Sequence, residues 1–167
     1  MTDSSSAFVG SVPELYDRLL GPVLFEPYAP EIARRVSVEP GQAVLEAACG
    51  TGRLTHRLRE RLPSRVRLVA TDLNKPMINH ARTRIGNVAN LEWRVADCTS
   101  LPFVSSAFHA LVCQFGLMFV ADKATAIREA ARVLADSGRL VFSVWDSLNR
   151  TPYAQAVSYT HLRAHET

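Results

Sequence analysis

Apolar residues recur along the chain in two rhythms. Short apolar-rich runs, QAVLEAA (42–48), RVRLVATD (65–72), NLEWRVAD (90–97), FHALVCQF (108–115) and GRLVFSVW (138–145), are separated by stretches whose apolar residues fall three and four apart. The first rhythm predicts strands and the second predicts helices with one buried stripe. Helices are expected over residues 52–62, about 75–85 and 122–134. In the second of these Asn74 is placed as N-cap, Pro76 in the first turn, and Ile78, Ala81 and Ile85 on the buried side. In the third, Ala124, Ile127, Ala131 and Leu134 are expected to face inward. Before the first strand, two short amphipathic helices, about 12–20 and 27–36, flank the segment GPVLFEP and could cover that strand's mouth.

Strands alternating with helices predict a parallel sheet covered on both faces. Right-handed crossovers then give an α/β fold with a Rossmann-like, doubly wound, mostly parallel sheet, here truncated after the fifth strand. Residues 1–36 read as an N-terminal helical cover, 37–156 as an incomplete ligand-binding domain, and 157–167 as a non-native tail. That tail, VSYTHLRAHET, matches at every residue the translation of a transposase adapter used in sequencing libraries, so the natural sequence is expected to stop at about Ala156. His161 and His165 then carry no metal site.

Composition narrows the class without naming it. With 167 residues and 47% hydrophobic content, the chain has enough for one core. Nineteen basic against sixteen acidic residues argue only weakly for a polyanion, and no nucleic-acid partner is expected. In the densest basic run, Leu54, Leu58 and Leu62 share one helical face and leave Arg53, Arg57, Arg59 and Arg61 as a solvated back. Cys49, Cys98 and Cys113 show no CxxC spacing, which suits a reducing compartment. No signal peptide and no membrane span are visible, so a cytoplasmic protein is expected.

Candidate chemistry gathers where the strands end. EAACGTG, after the first strand, carries Gly50 and Gly52 before a helix N-terminus, a place that welcomes an anion, whether pyrophosphate or carboxylate. The third glycine of a dinucleotide fingerprint is replaced by Thr55. Asp72, about 20 residues on, is placed to accept from ribose hydroxyls, a device that several cofactor classes share. Asp97 ends the third strand and could accept from an adenine amine. Taken singly, Glu46 also reads as a paired strand-end carboxylate, and Asp72 and Asp97 as caps or turn residues. Successive acidic strand ends are harder to account for that way.

VLEAACGTG, VATDLNKPMINHAR, VADCTSLPF, CQFGLMFV and REAARVLADSGRLVFSVW, in this order over roughly residues 10–155, resemble class I S-adenosylmethionine-dependent methyltransferases of the broad group that includes quinone-biosynthesis enzymes. The resemblance implies a cofactor site in which Ala48, Gly50 and Gly52 line the methionine moiety, and the loop N–H groups and, through water, Glu46 serve its charged ends. It implies Asp72 on the ribose, Leu73 and Met77 on the adenine face, Asp97 and the Cys98 backbone on the adenine edge, and Gln114 beside the methionine portion and the acceptor mouth. Tyr16, Phe25 and Tyr28 would belong to a lid, although aromatic residues in two short amphipathic helices more often serve simple packing.

The chain departs from the family pattern at His109, where an aspartate is usual, and at DSG, where Pro-Gly-Gly is usual, so that Ser137 would inherit a positive φ. A methyltransferase acting on a small-molecule acceptor is therefore expected, with no catalytic base identified and no metal. The alternatives are a cofactor-binding fragment without turnover and a nicotinamide-dependent oxidoreductase. A cysteine site for a soft substrate such as arsenite is a sharper reading of Cys49, Cys98 and Cys113 than packing, but their irregular spacing favours packing. An uncovered fifth strand would make the 167-residue polypeptide a weak binder or poorly soluble.

Overall fold

The computed structural model describes residues 12–147 and 150. The proposed tail, 157–167, lies outside them. The described residues form a five-stranded parallel sheet in the order β3-β2-β1-β4-β5. The strands are β1 (Ala43–Ala47), β2 (Arg67–Asp72), β3 (Leu91–Val95), β4 (Phe108–Gln114) and β5 (Leu134–Ser143). β1 is central, pairing Val44 with Leu68 on one side and Ala110 on the other. The chain leaves β1 in opposite directions along the sheet, so the order reverses between β1 and β4, where open α/β sheets bind ligands.

Helices α2 (Ala29–Arg34) and α3 (Arg53–Arg61) cover one face, burying Ile32, Ala33, Leu54 and Leu58 against Val44, Leu68, Ala110 and Val112. Helix α4 (Lys75–Ile85) adds Ile78 against Ala70 on that side. Helix α5 (Lys123–Val133) covers the other face, with Ala130 and Val133 on Leu45, Phe108 and Leu111. No helix among the described residues is long and apolar enough to cross a membrane.

Four local expectations change. The first helix does not stop before GPVLFEP: α1 (Val12–Leu15) runs on as a π-helical stretch, Tyr16–Phe25, with the Glu26 N–H donating to Gly21 O at 2.9 Å. Pro22 lies inside this stretch and has no N–H to donate to the preceding turn. Asn74 does occupy the N-cap position of α4 and Pro76 its first turn, but the Asn74 side chain makes no capping bond. Its backbone N–H instead donates to Asp72 Oδ1 at 2.8 Å.

Helix α5 is rotated by about one residue from the expected face, burying Ala126, Ala130 and Val133 and leaving Ala124, Ile127 and Ala131 exposed. Polar bonds set this rotation. Glu129 Oε2 accepts from the Leu101 N–H, and Arg132 donates to the carbonyls of Leu101 and Phe103. Finally, Ser137 takes no positive φ. The residues between Leu134 and Arg139 enter β5 through an irregularity opposite Phe108 and Ala110, and the chain bends closely enough that a Cβ on Gly138 would lie 2.8 Å from Ala135 O.

Candidate functional site

The site is built on the turn that follows β1. Ala48, Gly50 and Gly52 have φ of 54°, 53° and 79°, a left-handed path that swings the chain from strand to helix within a few residues. For Ala48 this conformation carries strain on the order of 1 kcal/mol. A Cβ on Gly52 would lie 3.0 Å from Ala81 Cβ and from Ile85 Cδ1, so glycine there also lets α3 start hard against α4. The Gly50 N–H donates to Asp72 Oδ2 at 2.8 Å and the Gly52 N–H to Cys49 O at 2.9 Å. Two of the loop donors expected to face a ligand are thus spent on holding the loop itself.

Beneath the loop lies Glu46, on the central strand and 1% exposed. Burial, reinforced by the neighbouring Asp72 charge, pushes its carboxyl up to about 8. Thr55, in the first turns of α3, pulls the value back, yet its hydroxyl and Glu46 Oε2 make no well-formed hydrogen bond among the described residues. An orphan carboxylate oxygen this deep is costly unless a cation or donor reaches it.

Asp72, buried at the end of β2, joins Gly50 to Asn74 through its two oxygens. Burial raises its pKa as well. Asp97 is exposed beyond β3, and its Oδ1 accepts from the Thr99 N–H at 2.8 Å and the Thr99 hydroxyl at 2.7 Å. It is a turn residue as well as a strand-end acid. Of the two apolar candidates, Leu73 is 51% exposed beside Asp72, whereas Met77 is buried within α4. The structure therefore places Glu46, Ala48, Gly50, Gly52, Asp72 and Leu73 at or just beyond the carboxyl ends of β1 and β2, with Asp97 and Cys98 just beyond β3.

The cover closes over this mouth. Gln114 donates through Nε2 to Phe25 O at 2.8 Å, tying β4 to the end of the π-helical stretch. Tyr16 stacks on Phe25 at 5.3 Å, and its hydroxyl is pushed up to about 12 by burial and by the nearby Asp72 charge. Tyr28 meets Phe115 edge-on at 5.4 Å, and Phe115 stacks on Trp145 at 3.8 Å. Phe115 holds a positive φ of 56°, uncommon for an aromatic residue.

A cavity opens toward α5, lined by Ala48, Cys98, Cys113, Leu117, Ile127 and Phe142. Burial pushes the Cys113 thiol up to about 11 and those of Cys49 and Cys98 upward too. These are protonated packing residues at neutral pH, which disfavours the arsenite reading.

One sequence reading needs correction here, and it concerns the cover. Arg53 and Arg57 are not a solvated back: Arg53 pairs with Asp17 and Glu26, and Arg57 with Glu26. His80, on α4, sits 3.6 Å from Asp17 Oδ2. Asp17 and Glu26 were not singled out as candidates because each alone is an ordinary acidic residue on an amphipathic helix. Their only signal is the pair of arginines one turn apart on a helix far along the chain. His109 does stand away from the site, at the other end of β4, accepting from the Ala43 N–H at 3.3 Å.

A sequence model of the methyltransferase domain matches residues 44–138. The ubiquinone/menaquinone biosynthesis C-methyltransferase of Enterobacter sp. (strain 638) is 38% identical over 107 residues, 62% of this chain and 43% of that protein. The malonyl-[acyl-carrier protein] O-methyltransferase of Hahella chejuensis is 38% identical over 102 residues, 61% of this chain and 36% of that protein. The chain thus spans less than half the length of these curated relatives. A solved methyltransferase structure from Aquifex aeolicus superposes with a TM-score of 0.69 at 20% identity, over 80% of this chain and 73% of that one, and shows the shared fold.

Proposed function

The chain belongs to the methyltransferase-domain family, and from that premise we propose that it binds S-adenosylmethionine at the carboxyl ends of β1 to β3 and serves methyl transfer to a small-molecule acceptor in the cytoplasm. The observation that carries this reading is Glu46, a buried carboxyl with an orphan oxygen directly under the glycine loop. Asp72 and Asp97 stand at the neighbouring strand ends, while Arg53 is already paired with Asp17 and Glu26. Glu46 is mostly protonated without ligand, and a cationic group at its orphan oxygen would draw it into the charged form, which suits an amino-acid ammonium. Thr55 in place of the third glycine of a dinucleotide fingerprint favours this cofactor over a nicotinamide dinucleotide.

When bound, the cofactor supplies an activated methyl group for in-line displacement, so the protein's work is alignment and exclusion of water. Glu46 would serve the ammonium end, directly or through water. Asp72 would hold the ribose hydroxyls with the lone pairs left over from Gly50 and Asn74. Leu73 offers the exposed apolar face for adenine, backed by Met77 within α4, and Asp97 with the Cys98 backbone offers polar groups for its edge. Gln114 and the aromatic cover would close the acceptor side. The names of the two curated relatives, one acting in quinone biosynthesis and one on a malonyl carrier protein, support a small or carrier-borne acceptor.

Isothermal titration with S-adenosylhomocysteine and with NADH tests the reading. Saturable 1:1 binding of the first and none of the second is expected, with Asp72→Ala weakening the first at least about tenfold. NADH binding without S-adenosylhomocysteine binding would overturn it.

A further inference from the structure

The glycine loop is held from behind as well as from the sheet. Thr51, between Gly50 and Gly52, is buried, and its hydroxyl donates to Asp17 Oδ1 at 2.8 Å. Its carbonyl accepts from Arg84 Nε at 3.1 Å. The same Asp17 oxygen accepts from Arg53 Nε at 2.9 Å, and the Asp17 carbonyl from Arg53 Nη2 at 2.7 Å. Arg53 goes on to donate to Glu26 Oε2 at 3.1 Å.

His80 and Arg84 face the other Asp17 oxygen at 3.6 and 3.9 Å. Burial raises the Asp17 pKa, but Thr51, Arg53 and Arg84 outweigh it and hold the carboxyl below its usual range. The cover's sequence makes room for this contact: a Cβ on Gly21 would lie 2.2 Å from Arg53 Nε. The cover therefore meets the loop through a fitted polar contact.

We propose that Asp17 is a positioning residue for the cofactor loop, acting through Thr51, so that closing the cover and setting the loop for ligand are one event. The role as a cofactor loop rests on the methyltransferase reading. Asp17 and Arg53 side chains are 13% and 17% exposed, so neither regains full hydration when the other is removed. Thr51 cannot turn its backbone without giving up its hydroxyl bond to the cover and its carbonyl bond to α4. Ligand on the loop then favours the closed cover, and by reciprocity the closed cover favours ligand.

The test combines hydrogen exchange with titration on the full 167-residue chain. In exchange measured without ligand, Thr51→Val and Asp17→Asn are each expected to speed exchange in Tyr16–Phe25 and in residues 48–56 together, while β2 and β4 keep their protection. Thr51→Ser, which retains the hydroxyl, should match the unsubstituted chain. In titration, each of the two disruptive variants should weaken S-adenosylhomocysteine about tenfold, and the double variant no further than the weaker single one.

Additive losses, equal damage by Thr51→Ser and Thr51→Val, or independent exchange of cover and loop would each overturn the latch. Failure of the unsubstituted chain to bind S-adenosylhomocysteine overturns the cofactor reading instead, and the exchange data still decide whether Asp17 sets the loop.

Discussion

At the scale of single residues, Glu46 sets the pH behaviour. Its folded pKa of about 8 lies well above that of a free carboxyl, about 4.3, so the folded chain binds more protons than the unfolded chain between those values. Stability without ligand is therefore highest below about pH 4.3, as far as this group is concerned, and declines as pH rises toward 8. Glu46→Gln removes the charge but keeps the shape, and is expected to stabilise the ligand-free chain at pH 8 by about 2 kcal/mol, while flattening the decline. Urea titrations at pH 5.5 and 8 check this, and equal effects at the two values would contradict it.

Cofactor binding should pull the other way, since a cationic end prefers ionised Glu46. At pH 7 binding is expected to release a fraction of a proton, visible as different titration heats in buffers of different ionisation enthalpy. The released fraction should vanish in Glu46→Gln.

At the scale of elements, legibility followed the physics of each signal. The three inner strands were readable because parallel strands with both faces covered leave short apolar runs, the two outer ones by their place in the alternation, and all five predicted runs contain the observed strands, apart from the early entry of β5 at Leu134. The loop and the strand-end acids were readable because a strand, a glycine turn and a helix must follow one another in sequence. What periodicity does not register is a helix rotation set by polar bonds at a distance.

In α5 the bonds from Glu129 and Arg132 to Leu101 and Phe103 turn Ile127 outward. Arg132→Ala should therefore lower the urea midpoint, because two loop carbonyls lose their donor, and the α5 amides should exchange faster than those of α3. The cover was half readable: its helices follow from amphipathic spacing, whereas the π-helical stretch leaves no spacing signal and the latch depends on partners 34 to 36 residues away.

At the scale of the whole molecule, the two faces of the sheet are unequally finished at its β5 edge. Among the described residues β5 pairs with β4 alone, so its outer edge presents backbone donors and acceptors without a neighbouring strand. Phe142 is 49% exposed at the mouth of the cavity beside α5, next to Val144 and Ile127, which are also exposed. An edge strand with apolar side chains is a template for pairing with another copy, and in Arg139–Ser143 a single charge, Arg139, and no proline guard it.

Concentration-dependent self-association of the 167-residue chain is therefore expected, detectable by sedimentation velocity in the micromolar range. Phe142→Lys should suppress it by placing a charge on the edge, with little change in thermal midpoint, because that side chain is already half in water. Glu92→Lys, on the opposite edge strand β3, serves as the control and should leave association unchanged. Association that survives Phe142→Lys but yields to the β3 substitution would place the contact on the other edge of the sheet.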